Sequence, residues 1–158
     1  MTGGAVTGPG LTVATPAHAA AFAEIHRLSF DHGWSAAGFG RMLRQPNMLG
    51  LAALDAEDAG RVCGFIVCRF AAPEAEIVTL AVPPARRRRG IAGRLMAGAE
   101  EFLRRSAIKE WFLEVDAGNP AATALYEITG FKSVGTRTGY YRSNAGRRDA
   151  LIMRKELI

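Results

Sequence analysis

The spacing of apolar residues changes period several times along the chain, and each change marks an element. Thr15-Pro16 reads as an N-cap followed by a proline in the first helical turn, and Phe22, Ile25 and Leu28/Ser29 recur at helical spacing, which predicts a helix to about residue 30. A short strand from Leu11 to Ala14 precedes it. Ser35 can cap a second helix whose apolar face is Phe39, Met42 and Leu43, and Pro46-Asn47 stops it. From Met48 the pattern becomes strand-like. Met48 to Leu54, Arg61 to Phe70 and Glu76 to Val82, separated by Asp55 to Gly60 and Ala71 to Ala75, predict an antiparallel meander.

Helical spacing returns with Ile91, Leu95, Ala99, Phe102 and Leu103, while Glu100, Glu101, Arg104 and Arg105 fall mostly off that face. Trp111 to Val115 is a strand too far from Glu76–Val82 for a hairpin, so the helix between them predicts a crossover and parallel pairing. Asn119 as cap, Pro120 in the first turn and Gly130 just past the end bracket a short helix. Phe131 to Arg137 and Asp149 to Arg154 then close the sheet, with Gly139 to Arg148 as the intervening loop.

Composition sets the outer bounds. At 158 residues and 49% hydrophobic, the chain has enough apolar material for one compact domain, expected over 11–158 after a flexible Gly/Thr-rich tail at 1–10. Its 20 Lys+Arg against 15 Asp+Glu give a net charge of +5, which favours a polyanionic ligand or an RNA-rich neighbourhood without choosing between them. Met1 to Gly10 lacks a cationic start and an apolar h-region, and no run nears the ~20 apolar residues of a membrane span, so a cytoplasmic protein with no membrane partner is expected. Cys63 and Cys68 lie an odd number of positions apart on one strand, which predicts opposite faces and no disulfide between them. His18, His26 and His32 form no metal-ligand spacing, so no metal is expected, and His26 reads as packed on a helix.

One stretch changes this picture. Arg86-Arg87-Arg88-Arg89-Gly90-Ile91-Ala92-Gly93 lies between a predicted strand and a predicted helix. Main-chain N–H groups in a tight glycine-bearing turn, continued by the unpaired N–H groups of a helix's first turn, converge on one point and favour an anion there. The stretch has neither the Gly-Lys-Ser/Thr of a Walker loop nor G-x-G-x-x-G, so two nucleotide motifs are excluded. An ordinary basic turn or a nucleic-acid patch accounts for the same residues, and the loop alone does not decide.

Further residues give the loop a context. Arg87-Arg88-Arg89-Gly90-Ile91-Ala92 satisfies Gln/Arg-x-x-Gly-x-Gly/Ala at a strand-loop-helix junction, the cofactor signature of the GNAT family of acyl-CoA-dependent N-acetyltransferases, and the element order resembles that family. Leu80-Ala81-Val82, Leu113-Glu114-Val115, Asn119-Pro120-Ala121-Ala122, Ala124-Leu125-Tyr126-Glu127, Gly130-Phe131, Tyr140-Tyr141 and Asp149 to Met153 follow the order and approximate spacing of one branch, the RimI-type ribosomal-protein alanine N-acetyltransferases. The likeness covers Glu76 to Met153; the amino half adds Trp34-Ser35 before the second helix. Departures are Arg87 for the branch's Gln, Ala92 for its commoner Gly, and Pro84 beside Pro83.

The resemblance implies an α/β (α+β) GNAT fold, a mixed sheet of about seven strands flanked by about four helices in a single domain. It also implies acetyl-CoA as cosubstrate and direct transfer to a protein N-terminal amine, by branch the N-terminal alanine of a small-subunit ribosomal protein. The alternatives are another protein N-terminus, a small-molecule amine, or a non-enzymatic basic RNA-binding or ribosome-binding module. A carboxylate inside the apolar strand Trp111 to Val115 calls for explanation, and the resemblance makes Glu114 the base; a salt-bridged or edge-exposed Glu is the other reading. Tyr126 becomes the acid that protonates the coenzyme A sulfur, against a plain core tyrosine. Leu80, Ala81 and Val82 would hold the pantetheine arm through their backbones, and Arg87, Arg88, Arg89, Gly90, Ile91, Ala92 and Gly93 would hold phosphate. Asn119 would cap its helix and touch the cofactor as well, while Tyr140 and Tyr141 either cover the acceptor's first residue or a sheet end.

Overall fold

The computed structural model describes residues 10–30, 32–58, 60–143 and 146–158. The tail expected at 1–10 lies outside the described residues except for Gly10. A seven-stranded mixed sheet runs in the order β1-β2-β3-β4-β5-β7-β6. Its strands are β1 (Leu11–Val13), β2 (Met48–Leu54), β3 (Val62–Ala71), β4 (Glu74–Ala81), β5 (Glu110–Asp116), β6 (Lys132–Ser143) and β7 (Gly146–Glu156). The helices are α1 (Ala19–Ser29), α2 (Ala36–Leu43), α3 (Ile91–Arg105) and α4 (Pro120–Ile128). All neighbouring strands are antiparallel except β4 and β5, which α3 joins as a parallel crossover. The mixed architecture anticipated from the order of elements is the one observed.

The caps read from the sequence work as expected. The Thr15 and Ser35 hydroxyls accept from the amides of Ala17 and Gly38, and a short 3₁₀ turn, Pro16–His18, leads into α1. α3 and α4 cover one face of the sheet. There Leu95, Ala99, Leu103, Trp111 and Tyr126 share a core cluster with Ile66, Leu113 and Met153. α1 and α2 cover the other face, but only over β2 to β4: Phe22 stacks on Phe65 at 4.2 Å and meets Phe39 edge-on at 5.9 Å. Each large side chain buried this way contributes about 1.5–3 kcal/mol. On that second face β5 and β7 carry no helix, so Phe112, Glu114 and Ile152 border an open cleft.

Two expectations are corrected. Cys63 and Cys68 belong to the same core cluster, because the β2–β3 register shifts between Ala53 and Leu54 and the extra residue reverses the alternation; both thiols are buried and free. Tyr140 and Tyr141 are not in a long loop. β6 continues to Ser143 and β7 starts at Gly146, making one long hairpin. Its register absorbs the turn-like residues as a bulge: Arg137 pairs with Ala150 and Tyr141 with Arg148, so Thr138, Gly139 and Tyr140 stand opposite Asp149 alone. The Asp149 carboxylate accepts from the Gly139 amide at 2.9 Å and fixes the bulge.

His26 is buried on α1 as expected, and the structure gives it a task. Its Nδ1 accepts from the Trp34 amide at 3.1 Å and its ring stacks on Trp34 at 4.6 Å, which holds the segment between α1 and α2. Burial lowers its pKa, keeping the imidazole neutral and Nδ1 free to accept.

Candidate active site

Parallel pairing between β4 and β5 is brief. Glu74, Ala75 and Glu76 pair with Glu110, Trp111 and Phe112, after which β4 follows β3 and β5 follows β7. A bulge at Val78 helps turn β4 away: Ile77 opposes Cys68 and Thr79 opposes Val67, leaving Val78 as the extra residue. The two strands therefore splay into a wedge. Leu80 and Ala81 pair with Ile66 and Phe65 on the far side, so on the wedge side β4 has no strand partner beyond Glu76. Thr79, which no sequence pattern marked, has a buried hydroxyl without a hydrogen-bond partner among the described residues.

The arginine-glycine loop stands at the end of β4. Arg88 and Gly90 both take left-handed backbone, with φ of 63° and 78°, and Gly90 is the N-cap of α3. The first helical hydrogen bond is Arg94 N–H to the Gly90 carbonyl, and no backbone acceptor among the described residues engages the amides of Arg88 through Gly93. Unengaged N–H groups at a left-handed turn and a helix start are the arrangement that favours an anion. Gly93 has ordinary helical backbone, and a Cβ built on it meets nothing within 4 Å. Neither conformation nor protein packing demands a glycine there.

The arginines divide into two pairs. Arg86 reaches back to the carboxylate of Asp55 in the β2–β3 turn, and the Arg87 guanidinium donates to the Val82 carbonyl at 3.0 Å. The Glu57 amide and then the Arg86 guanidinium hold the Asp55 carboxyl below the usual range. The Arg87 amide is likewise used, on the Pro84 carbonyl at 3.4 Å. Arg86 and Arg87 thus shape the loop, whereas Arg88 and Arg89 are exposed. Asp55 escaped the sequence reading because its partner is remote along the chain; only the β2–β3 turn geometry brings them together.

Tyr126 and Glu114 lie on opposite faces of the sheet. Tyr126 projects from α4 into the α3-side core, and its hydroxyl has no hydrogen-bond partner among the described residues. Burial, with Tyr141 and Cys68 nearby, pushes that hydroxyl well above the usual tyrosine range, so it remains a proton donor. Asn119 caps α4 through a bond from the Ala122 amide at 3.1 Å. Glu114 is on the helix-free face, its side chain 28% exposed, in a cleft of about 440 Å³ with Glu74, Glu76, Phe112, Arg137 and Ile152. Its carboxylate pairs with Arg137 at 2.8 Å. The Tyr141 hydroxyl donates to the Glu114 carbonyl at 3.3 Å, and burial, then the Glu114 charge, pushes its pKa up to about 12. Tyr140 packs edge-on to Tyr141 at 5.1 Å and lies under the Arg137 guanidinium at 4.6 Å. The structure therefore joins Tyr140, Tyr141 and Glu114 in one cluster at the cleft. Arg137 was missed because strand periodicity does not reveal which residue faces Glu114 across an intervening strand.

Among the described residues no group of His, Cys, Asp and Glu is placed to hold a metal ion, and no helix is long and apolar enough to cross a membrane.

Comparison with known proteins agrees with this geometry. The chain is 35% identical over 94 residues to the ribosomal protein bS18-alanine N-acetyltransferase of Escherichia coli (strain K12), a match covering 60% of this chain and 64% of that protein, so the chain spans less than two thirds of that relative. It is 34% identical over 148 residues to the N-alpha-acetyltransferase RimI of Mycobacterium tuberculosis, covering 90% of this chain and 89% of that protein. The crystal structure of the ribosomal-protein-S18-alanine N-acetyltransferase from Escherichia coli superposes with a TM-score of 0.86 at 26% identity, over 93% of this chain and 92% of that one. Arabidopsis thaliana NAA60 in complex with acetyl-CoA shares the fold, with a TM-score of 0.82 at 20% identity over 93% of this chain and 97% of that one. Residues 19–131, well over half of the chain and including the amino half where the motifs are sparse, match the acetyltransferase (GNAT) family, to which this protein belongs.

Proposed function

We propose that this protein is an acetyl-CoA-dependent N-alpha-acetyltransferase whose acceptor is a protein N-terminus, by its relatives the N-terminal alanine of a ribosomal protein such as bS18. One observation supports the reading: the amides of Arg88 through Gly93 engage no backbone acceptor among the described residues, and they follow a strand, β4, whose pairing with β5 ends at Glu76. The fit to coenzyme A rests on the unengaged amides of Arg88 through Gly93, on the open space beside Gly93, and on the unpartnered Tyr126 hydroxyl. Acetyl-CoA supplies the activated acyl group as a thioester.

The residues then have separate tasks. Backbone amides from Arg88 to Gly93 hold the diphosphate, with Arg88 and Arg89 adding charge, while the open edge of β4 at Leu80 and Ala81, continued by Val82 just beyond the strand, lies along the pantetheine arm. Glu114, directly or through water, takes a proton from the α-ammonium group so that nitrogen can bond to the acyl carbon. As the C–S bond breaks, Tyr126 gives a proton to sulfur, and the second proton that the nitrogen sheds on forming the amide goes to solvent, from which the phenol is restored. Tyr140 and Tyr141 narrow the acceptor side, which favours a small first residue. Transfer is direct. Burial pushes the Cys68 thiol up to about 12 and also raises Cys63, so neither offers the thiolate that an acyl-enzyme requires.

A purely RNA-binding role is disfavoured because Arg86 and Arg87 are occupied within their own loop. The ribosomal acceptor and two buried, unpaired cysteines suit a cytoplasmic location. The test is incubation of purified protein with acetyl-CoA and peptides differing in their first two residues, with the acetyl group located by mass spectrometry. Acetylation of the α-amine of Ala-starting peptides is expected. Products confined to lysine side chains or small amines would reject the acceptor, and absence of any product would reject the activity.

A further inference from the structure

The ion pair at Glu114 is unusual in its reach. β5 and β6 are not neighbours; β7 lies between them, which separates their backbones by about 9.5 Å, two strand spacings. Glu114 is level with Ile152 and Gly135, and Arg137 is level with Ala150. On β7 the Ile152 side chain fills the space left at Gly135, where a Cβ would meet it at 3.6 Å, and the buried methyl of Ala150, opposite Arg137, is the small residue over which a long side chain can reach. Across β7 Arg137 extends to within 2.8 Å of the Glu114 carboxylate. Two further carboxylates border the cleft, and of these Glu76 already has Arg69 at 2.6 Å on the adjoining strand.

We propose that Arg137 is a resident counter-ion occupying, on Glu114, the place that the acceptor's α-ammonium group takes during turnover, so that acceptor binding exchanges one cation for another. The proposal rests on the reading of Glu114 as the acceptor-side base. Three features fit Arg137 to leave and return. Its side chain is 52% exposed, so it loses little on moving into water, and a pair this open is held weakly. A second resting place is already in contact: the Tyr140 ring, 4.6 Å beneath the guanidinium, offers a cation–π site independent of Glu114. That ring is set there by the bulge that Asp149 fixes through Gly139, and Tyr141 ties the same segment to the Glu114 carbonyl.

Arg137 therefore acts as a positioning and specificity residue. It keeps the cleft's carboxylate neutralised until an amine able to replace a guanidinium arrives, and so it weakens acceptor binding in general. Removing it is expected to tighten binding of any acceptor that presents an ammonium group.

The test compares wild type, Arg137→Gln and Arg137→Lys, each saturated with acetyl-CoA and given an Ala-starting peptide. For Arg137→Gln the acceptor KM is expected to fall by up to about fivefold, equivalent to about 1 kcal/mol, with a smaller change in kcat. Arg137→Lys, which keeps the charge, is expected to remain close to wild type. In a CoA-bound titration the N-acetylated form of the same peptide, having no ammonium group, is expected to bind both Arg137→Gln and wild type equally. A raised or unaltered KM in Arg137→Gln, a kcat loss larger than the KM change, or equal tightening of the acetylated peptide would overturn the exchange. Those outcomes, in an active wild type, leave the proposed function standing. A wild type that acetylates no peptide while still gaining thermal stability from CoA removes the acceptor reading and this inference together.

Discussion

Gly93→Ala is expected to move stability and ligand binding in opposite directions. The residue has helical backbone within α3, and a Cβ there meets no protein atom within 4 Å, so alanine enters without strain. Relative to glycine it restricts the unfolded chain and favours the helix by about 0.4–1 kcal/mol. For a chain of this length that raises the Tm of the ligand-free protein by roughly 1–4 °C. The same methyl stands in open space on the first turn of α3, which is proposed to receive the diphosphate. Intrusion of one methyl into a close contact costs about 1–3 kcal/mol, which corresponds to roughly 5- to 150-fold weaker CoA binding. Differential scanning fluorimetry with and without CoA reads both effects, and calorimetric titration gives the affinity ratio. Wild-type CoA affinity in a stabilised variant would refute the cradle. A lowered Tm without ligand would refute the claim that the fold has no use for glycine at this position.

Glu114→Gln is expected to lower turnover by about 10²–10⁴-fold near neutral pH, with the deficit shrinking above the α-amine's own pKa of about 8, where the acceptor deprotonates unaided; a pH-independent loss would argue against a base. Tyr126→Phe removes a hydroxyl that makes no hydrogen bond to the described residues from an otherwise buried ring, so kcat is expected to fall by about 10²-fold or more while Tm changes little; a large loss of Tm would point to a structural role instead. The Asp55 carboxyl ionises at lower pH when folded than when unfolded, so its stabilisation is complete above about pH 4 and is lost as pH falls through the lower folded value. Asp55→Asn is thus expected to lower Tm at neutral pH and to converge with wild type in acid; a difference constant from neutral pH to pH 2.5 would exclude the linkage.

The sequence made the elements legible where side-chain period and caps agreed, as in α3, whose Ile91, Leu95, Ala99 and Leu103 stripe is buried as its spacing predicts. The glycine turn at Gly90 and the helix start at Ile91 were equally legible, because they are set by local backbone preference. What stayed hidden depended on register. One extra residue on β3 puts Cys63 and Cys68 in the same core cluster, and a bulge on β6 turns apparent loop residues into strand. Period-two reasoning has no memory of such insertions, and each one reverses every assignment beyond it. Arg137 and Asp55 were illegible for a related reason: their partners are set by strand order and turn geometry, not by sequence spacing.

The brief pairing between β4 and β5 has a mechanical consequence. Three residue pairs and the α3 crossover are the main seam between a four-stranded leaf, β1 to β4, and a three-stranded leaf, β5 to β7. Each leaf has a continuous ladder of its own, so the seam is where the molecule opens most easily, and amide exchange should begin there. A ligand seated in the wedge touches both leaves and takes the place of the ladder that is not formed. Substrate occupancy and the cooperativity of the whole sheet are then a single property, and the protein is most completely one folding unit when it is loaded.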